Sequence, residues 1–183
     1  MMSLCTKDRF NFPLVSTLET LALSNDAYHP DMTELSSSPR LKQVELLQCT
    51  MRSLNGIQQY PLQALSLSHL RRMEDISALS GCAGTLRMLS IDACGKIRDF
   101  SCLKQLTSLE YLQLHGRNVL PDLRFLNEMP KLKVFNFTMT VADGDLSPCL
   151  SLPYATFSGG KRNYNLKDRD LPKNADVSGF SLI

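Results

Sequence analysis

The chain of 183 residues lacks any run of about 18 consecutive apolar residues, so no membrane-spanning helix is expected. Its opening, MMSLCTKDRFNF, lacks the apolar stretch of a secretory signal, so no export leader is expected either. It has no C-x-x-C pair and no Gly-x4-Gly-Lys-Ser/Thr loop; SGGKRNYN at 158–165 does not have that spacing. Its three histidines, His29, His69 and His115, do not stand beside a Ser or Cys nucleophile with a carboxylate behind it. Charge of one sign is also missing: 20 Lys and Arg face 18 Asp and Glu, for a net +2. Aromatic residues are few, 7%, and are not interleaved with the cations. Such a balance points to neither nucleic acid nor a membrane surface as partner. No cofactor, metal or catalytic chemistry is indicated, and the expectation is a non-enzyme.

What the chain does have is repetition. The template Leu-x-x-Leu-x-Leu recurs at Leu18/Leu21/Leu23, Leu41/Val44/Leu46 and Leu62/Leu65/Leu67. It continues at Leu86/Leu89/Ile91, Leu109/Leu112/Leu114 and Leu132/Phe135/Phe137, with starts 21 to 24 residues apart. A weaker seventh copy lies at LPYATFSGG, with Ala155 and Phe157 facing in. Within each copy the period of two marks a short strand with one buried face. Apolar steps of three follow, as in Asp99/Phe100/Leu103/Leu106 and Asp122/Leu123/Leu126/Met129, and these fit one short helical turn. Asp75/Ile76/Leu79/Cys82 and Asp31/Met32/Leu35 align with them. Asp31, Asp75, Asp99, Asp122 and Asp145, with Ser53 in the second copy, each precede such a turn. Their side-chain oxygens are expected to cap its unpaired amides rather than to perform acid or metal chemistry.

One copy cannot bury its apolar face alone; stacked copies bury a continuous core. The expected fold is therefore α/β: a solenoid with a curved parallel β-sheet on one side and short helical or 3-10 turns on the convex side. The stretch LTSLEYLQLHGRNVLPDLRFLNEMPKL resembles the leucine-rich repeat family, in its internalin-like class with repeats of about 22 residues. The resemblance covers residues 14–157. The family usually places Asn or Cys three residues after the last strand leucine. Here that slot holds Asp26, Cys49, Leu70, Cys94, Arg117 and Thr140, so an asparagine ladder is not expected. Leu70 and Arg117 cannot serve as ladder residues, and local irregularity is expected there. The resulting division is an N-terminal cap over 1–17, with Phe10 and Phe12 covering the core, repeats over 18–157, and a polar cap and tail over 158–183.

Of the six cysteines, Cys49 and Cys94 share the ladder slot two repeats apart. That separation of ~10 Å is too long for a disulfide. Cys82 falls at a core position, and Cys102 and Cys149 fall on the turn side. Cys82 and Cys102, in adjacent repeats, form the one pair that spacing brings close. Reduced thiols in a cytoplasmic protein are expected, and the histidines are expected on the surface or rim.

With no catalytic constellation, the candidate function lies on the surface. Strand residues between the buried ones point onto the concave face. Leu47, Met88, Tyr111 and Val134 supply apolar or aromatic contact there; Glu45, Asp92, Gln113, His115 and Asn136 supply polar contact. Arg52, Arg71, Arg72, Lys96, Arg98 and Arg117 are expected to line up along one loop rim. Arg72, Arg98 and Arg117 are the rim cations expected to meet an acidic patch of the partner. The expectation is a monomeric protein-binding module. The resemblance allows two narrower versions: a bacterial immunity protein that neutralises a toxin or effector, or the substrate-reading arm of a larger receptor or enzyme.

Overall fold

The computed structural model describes residues 2–5, 18–33, 39–177 and 179. The expected capping phenylalanines Phe10 and Phe12, and the turn position Leu35, lie outside them. Among the described residues an eight-stranded parallel sheet dominates. Its strands are β1 (Met2–Cys5), β2 (Thr20–Ser24), β3 (Gln43–Leu47), β4 (Ala64–Ser68), β5 (Met88–Asp92), β6 (Tyr111–His115), β8 (Val134–Phe137) and β10 (Tyr154–Phe157). A second ladder, β7 (Val119–Leu120) with β9 (Thr140–Val141), runs beside it. Strand β1, within the expected cap segment 1–17, joins the sheet in parallel with β2. Its residues carry no Leu-x-x-Leu-x-Leu phrase.

Register follows the repeat without slippage. Leu21, Val44, Leu65, Leu89, Leu112, Phe135 and Ala155 stack in one line across the sheet. All seven are buried, and each large aliphatic side chain withdrawn from water contributes roughly 1.5–3 kcal/mol. The opposite wall is a column of 3-10 turns at Ile57–Gln59, Ser77–Cys82, Ser101–Gln105, Arg124–Glu128 and Ser147–Ser151. Leu79, Cys82, Leu103, Leu126 and Cys149 point inward from these turns.

The aspartates are architectural. The amides of Thr33, Ser77, Ser101, Arg124 and Ser147 donate to the Oδ1 atoms of Asp31, Asp75, Asp99, Asp122 and Asp145 at 2.8–2.9 Å. Ser53 Oγ accepts from Asn55 in the same way at 2.8 Å. Each Asp sits one residue further out than a helix N-cap and closes an Asx turn onto the first turn residue. The bond from the Ser101 amide holds the Asp99 carboxyl below the usual carboxylate range, and the Ser147 hydroxyl and then its amide do the same for Asp145.

Every strand from β2 to β5 leaves the sheet through the same backbone device. Asn25, Gln48, His69 and Ala93 adopt φ of 58°, 56°, 56° and 53°. Their amides donate to the last carbonyl of the next strand, those of Leu47, Ser68, Asp92 and His115. The left-handed region costs about 1–2 kcal/mol for a residue with a Cβ, and the regained hydrogen bond offsets part of that. The fifth copy departs: Gly116 takes φ 132° and donates to Thr138 Oγ1 at 3.0 Å.

That departure relocates the ladder residue. Cys49 and Cys94 fill their slots as expected, Cys49 Sγ donating to Leu23 O at 3.3 Å and Cys94 Sγ to Asp92 O at 3.3 Å. In the fifth copy Arg117 is exposed and buried Asn118, one residue later, takes over. Its Nδ2 donates to Ile97 O at 2.8 Å and to Cys94 O at 3.2 Å. Leu70 is buried as plain core.

The C-terminal segment closes the last strand. Lys173 bridges Tyr154 in antiparallel sense, Ala155 N donates to Pro172 O and Asn174 N to Pro153 O. Asp168 Oδ1 accepts from Phe157 N at 2.8 Å and Thr156 Oγ1 at 2.9 Å. Tyr164 packs edge-on to Phe157, which stacks on Phe137, and the Tyr164 hydroxyl accepts from Val141 N.

Candidate functional site

Strand register arranges the outward side chains of the sheet in rows. The first row runs Thr20, Gln43, Ala64, Met88, Tyr111, Val134, Tyr154. The second runs Ala22, Glu45, Ser66, Ser90, Gln113, Asn136, Thr156, and a third brings Leu47, Ser68, Asp92 and His115 into line. Met88, Tyr111 and Val134 are therefore neighbours, as are Gln113 and Asn136, and Asp92 and His115. Glu45 and Leu47, on β3, stand two strands from that group.

A polar network fixes the centre of the face. The Tyr111 hydroxyl donates to Gln113 Oε1 at 2.9 Å, and Gln113 Nε2 donates to Ser90 Oγ at 3.1 Å. Burial pushes the Tyr111 phenol above its usual pKa, so it stays a neutral donor. His115 Nε2 and Asn136 Oδ1 lie 3.1 Å apart. These contacts hold Tyr111 and His115 in set orientations.

Val134 departs from the expected role. It occupies an outward slot but is only 2% exposed, set in register between Tyr111 and Tyr154. It is the floor between two tyrosines, not a contact offered to solvent. The row extends further than the repeats alone suggested, because Lys173 Nζ lies 5.1 Å from the Tyr154 ring centroid. Lys173 also donates to Ala155 O at 2.6 Å and Asp168 Oδ1 at 3.0 Å. It comes from the tail, where no repeat pattern signals its position.

The expected single line of rim cations is not formed. The Ser53–Asp75 bridge aligns Arg52 with Glu74, and Arg98 holds the matching place before Asp99. Glu74 thus interrupts the row and pairs with Lys96 at 3.3 Å. Arg71 and Arg72 stand at the strand exit instead, at the centre of the turn closed by Met73 N donating to Leu70 O. Arg72, Arg98 and Arg117 are all exposed, but they occupy different places along the loops.

His29 also corrects a surface reading. It is buried against buried Asp26, its Nδ1 2.9 Å from Asp26 Oδ1 and its amide donating to Oδ2 at 3.1 Å. The two residues tie down the loop after β2. His69 and His115 lie at strand exits as expected, His69 exposed and His115 half-buried. The described cysteines, Cys49, Cys82, Cys94, Cys102 and Cys149, are buried free thiols. Burial pushes Cys49, Cys82 and Cys94 up to about 11, and Cys102 and Cys149 to about 12, so none is a ready nucleophile. Cys82 and Cys102 donate to separate carbonyls, those of Ile57 and Ile76. Among the described residues no three His, Cys, Asp or Glu side chains converge as a metal-ligand group, and no helix is long and apolar enough to cross a membrane.

Parallel strands, short 3-10 turns and an inward leucine line together define a leucine-rich repeat solenoid of internalin type. Internalin C2 from Listeria monocytogenes superposes with a TM-score of 0.65 over 86% of this chain and 71% of that one, at 24% sequence identity. Internalin F from the same species overlaps more loosely, with a TM-score of 0.47 and 19% identity over 75% of this chain and 45% of that one. No protein-family profile matches the chain, and no curated protein sequence matches it. The likeness to internalin C2, at that identity, establishes the shared architecture alone.

Proposed function

We propose that this chain is a non-enzymatic protein-interaction module that holds its partner on the concave face. The observation that carries the reading is the in-register row Met88, Tyr111, Val134, Tyr154, bordered by the oriented polar groups of Gln113, His115 and Asn136. An aromatic anchor with a polar tip, set among hydrogen-bonding neighbours, is the composition of an interface hot spot. Glu45, Leu47 and Asp92 extend the contact area, and Arg72, Arg98 and Arg117 meet acidic groups of the partner at its margin. The buried free thiols suit a reducing compartment, the cytoplasm, and the module works as a monomer.

The test begins with capture of partners from native lysate and their identification by mass spectrometry, followed by calorimetry on the purified pair. Tyr111→Ala is expected to weaken binding by about 2 kcal/mol or more with the fold intact. Should that variant bind as tightly as the parent while Lys104 or Glu128 substitutions weaken binding, the turn side is the docking face and the proposal is wrong.

A further inference from the structure

A cavity of about 350 Å³ opens between the exit loops of β3 and β4, lined by Gln48, Cys49, Thr50, His69, Arg71 and Arg72. No carboxylate is among its lining residues. Among the described residues Arg71 and Arg72 form no ion pair, and both side chains are exposed. They share this with Arg52, Arg98 and Arg117, whereas Lys42 pairs with Glu19, Arg87 and Lys133 with Glu110, and Lys96 with Glu74; what sets Arg71 and Arg72 apart is that both line one cavity that holds no carboxylate. The turn closed by Met73 N donating to Leu70 O places Arg71 and Arg72 at consecutive positions on the cavity wall, so their charges add there.

The remaining walls are neutral or donating. Cys49 stays a thiol, because burial raises its pKa to about 11, so it places no negative charge in the floor. Ser68 Oγ lies 2.9 Å from His69 Nδ1. When that hydroxyl donates to Nδ1, the imidazole proton sits on Nε2 and the ring is a donor. The cavity thus combines two planar forks of N–H donors with an imidazole and an amide side chain.

We infer that this cavity is a binding site for a phosphomonoester group. Its charge selects the ligand class. A phosphomonoester carries about −1.5 to −2 at neutral pH with three acceptor oxygens, matching two guanidinium groups. A carboxylate or a phosphodiester carries a single charge and would leave one arginine uncompensated. Arginine also pairs with phosphate oxygens in bidentate fashion, which lysine cannot do. The group can be supplied by a phosphorylated side chain of a protein or by a small phosphorylated metabolite. The site shares Arg72 with the margin of the proposed partner surface but lies apart from the Tyr111 row, and phosphate binding there does not depend on the concave face binding anything.

The test is ¹⁵N-detected titration of the full chain with inorganic phosphate, phenyl phosphate, dimethyl phosphate and a phosphoserine peptide. Inorganic phosphate and phenyl phosphate should shift the amides of 48–50 and 69–72. Arg71→Gln and Arg72→Gln, each checked for native circular dichroism, should weaken both by at least about tenfold. Arg87→Gln and Tyr111→Ala should leave them unchanged. Tighter binding of the peptide than of phenyl phosphate identifies a phosphorylated protein as the source; equal binding identifies a small phosphomonoester. Absence of shifts, equal binding of dimethyl phosphate, or full binding by Arg71→Gln would each overturn the assignment.

Discussion

Replacing Asn118 by Ala should destabilise the fold by about 2 kcal/mol, and the figure can be built from the bonds it makes. Asn118 is buried, and its Nδ2 serves two carbonyls, Ile97 O at 2.8 Å and Cys94 O at 3.2 Å. Cys94 O also accepts from Ile97 N at 3.2 Å, so it keeps a partner and its loss is about 0.5–1.5 kcal/mol. Ile97 O has no other donor among the described residues, and a buried carbonyl left without one costs about 1–3 kcal/mol. Against this, Asn118 Oδ1 accepts no hydrogen bond from the described residues, so removing it recovers part of a desolvation cost. The balance is near 2 kcal/mol. Urea unfolding followed by circular dichroism measures it, with an unchanged denaturant slope as the sign that only stability moved. Arg117→Ala, at the place where spacing alone puts the ladder, should stay within about 0.5 kcal/mol of the parent. If Arg117→Ala costs as much as Asn118→Ala, or Asn118→Ala costs nothing, the ladder has been misplaced and the reasoning fails.

Asp122→Ala removes the acceptor for the Arg124 amide and should lower stability by about 0.5–2 kcal/mol, read as a fall in Tm; an unchanged Tm would contradict the capping role. Glu110 lies between Lys133 and Arg87, each 2.6 Å away, and the hydrogen bonds from Lys133 and then Arg87 hold its carboxyl below the usual range. A carboxyl depressed in the folded state adds stability above its unfolded pKa and loses it as pH falls through the folded one. Glu110→Gln should therefore cost at most about 1 kcal/mol at pH 7, and the gap from the parent should close on acidification toward about pH 2. A gap that widens in acid would contradict the assignment.

The parts legible in the sequence were those that repeat. The inward leucine line and the Asp or Ser before each turn recur once per copy, and Cys49 and Cys94 fall in one slot of the same repeat, so spacing alone located them. What escaped was set by single departures. Gly116 does not take the Cβ-bearing left-handed exit of Asn25, Gln48, His69 and Ala93, and in its copy the ladder residue is 118 rather than 117. Val134 alternates outward as its period requires, yet it is buried between strands that carry Tyr111 and Tyr154 in register, and burial of an outward position is set by neighbouring strands, not by period. The break in the rim at Glu74 follows from loop alignment that the strand phrase does not constrain. Met2–Cys5, Lys173 and the Asp26–His29 pair lie outside the repeated phrase altogether.

The closure at Tyr154 has a consequence for association. A parallel solenoid is a template: its last strand presents the same donors and acceptors that every earlier strand offered to its successor. A second molecule could continue the stack there, and such head-to-tail growth does not terminate. Lys173 reverses the chain direction at that edge, while Ala155 N and Pro153 O are already engaged by Pro172 O and Asn174 N. The edge that would seed a filament is spent on the chain's own tail.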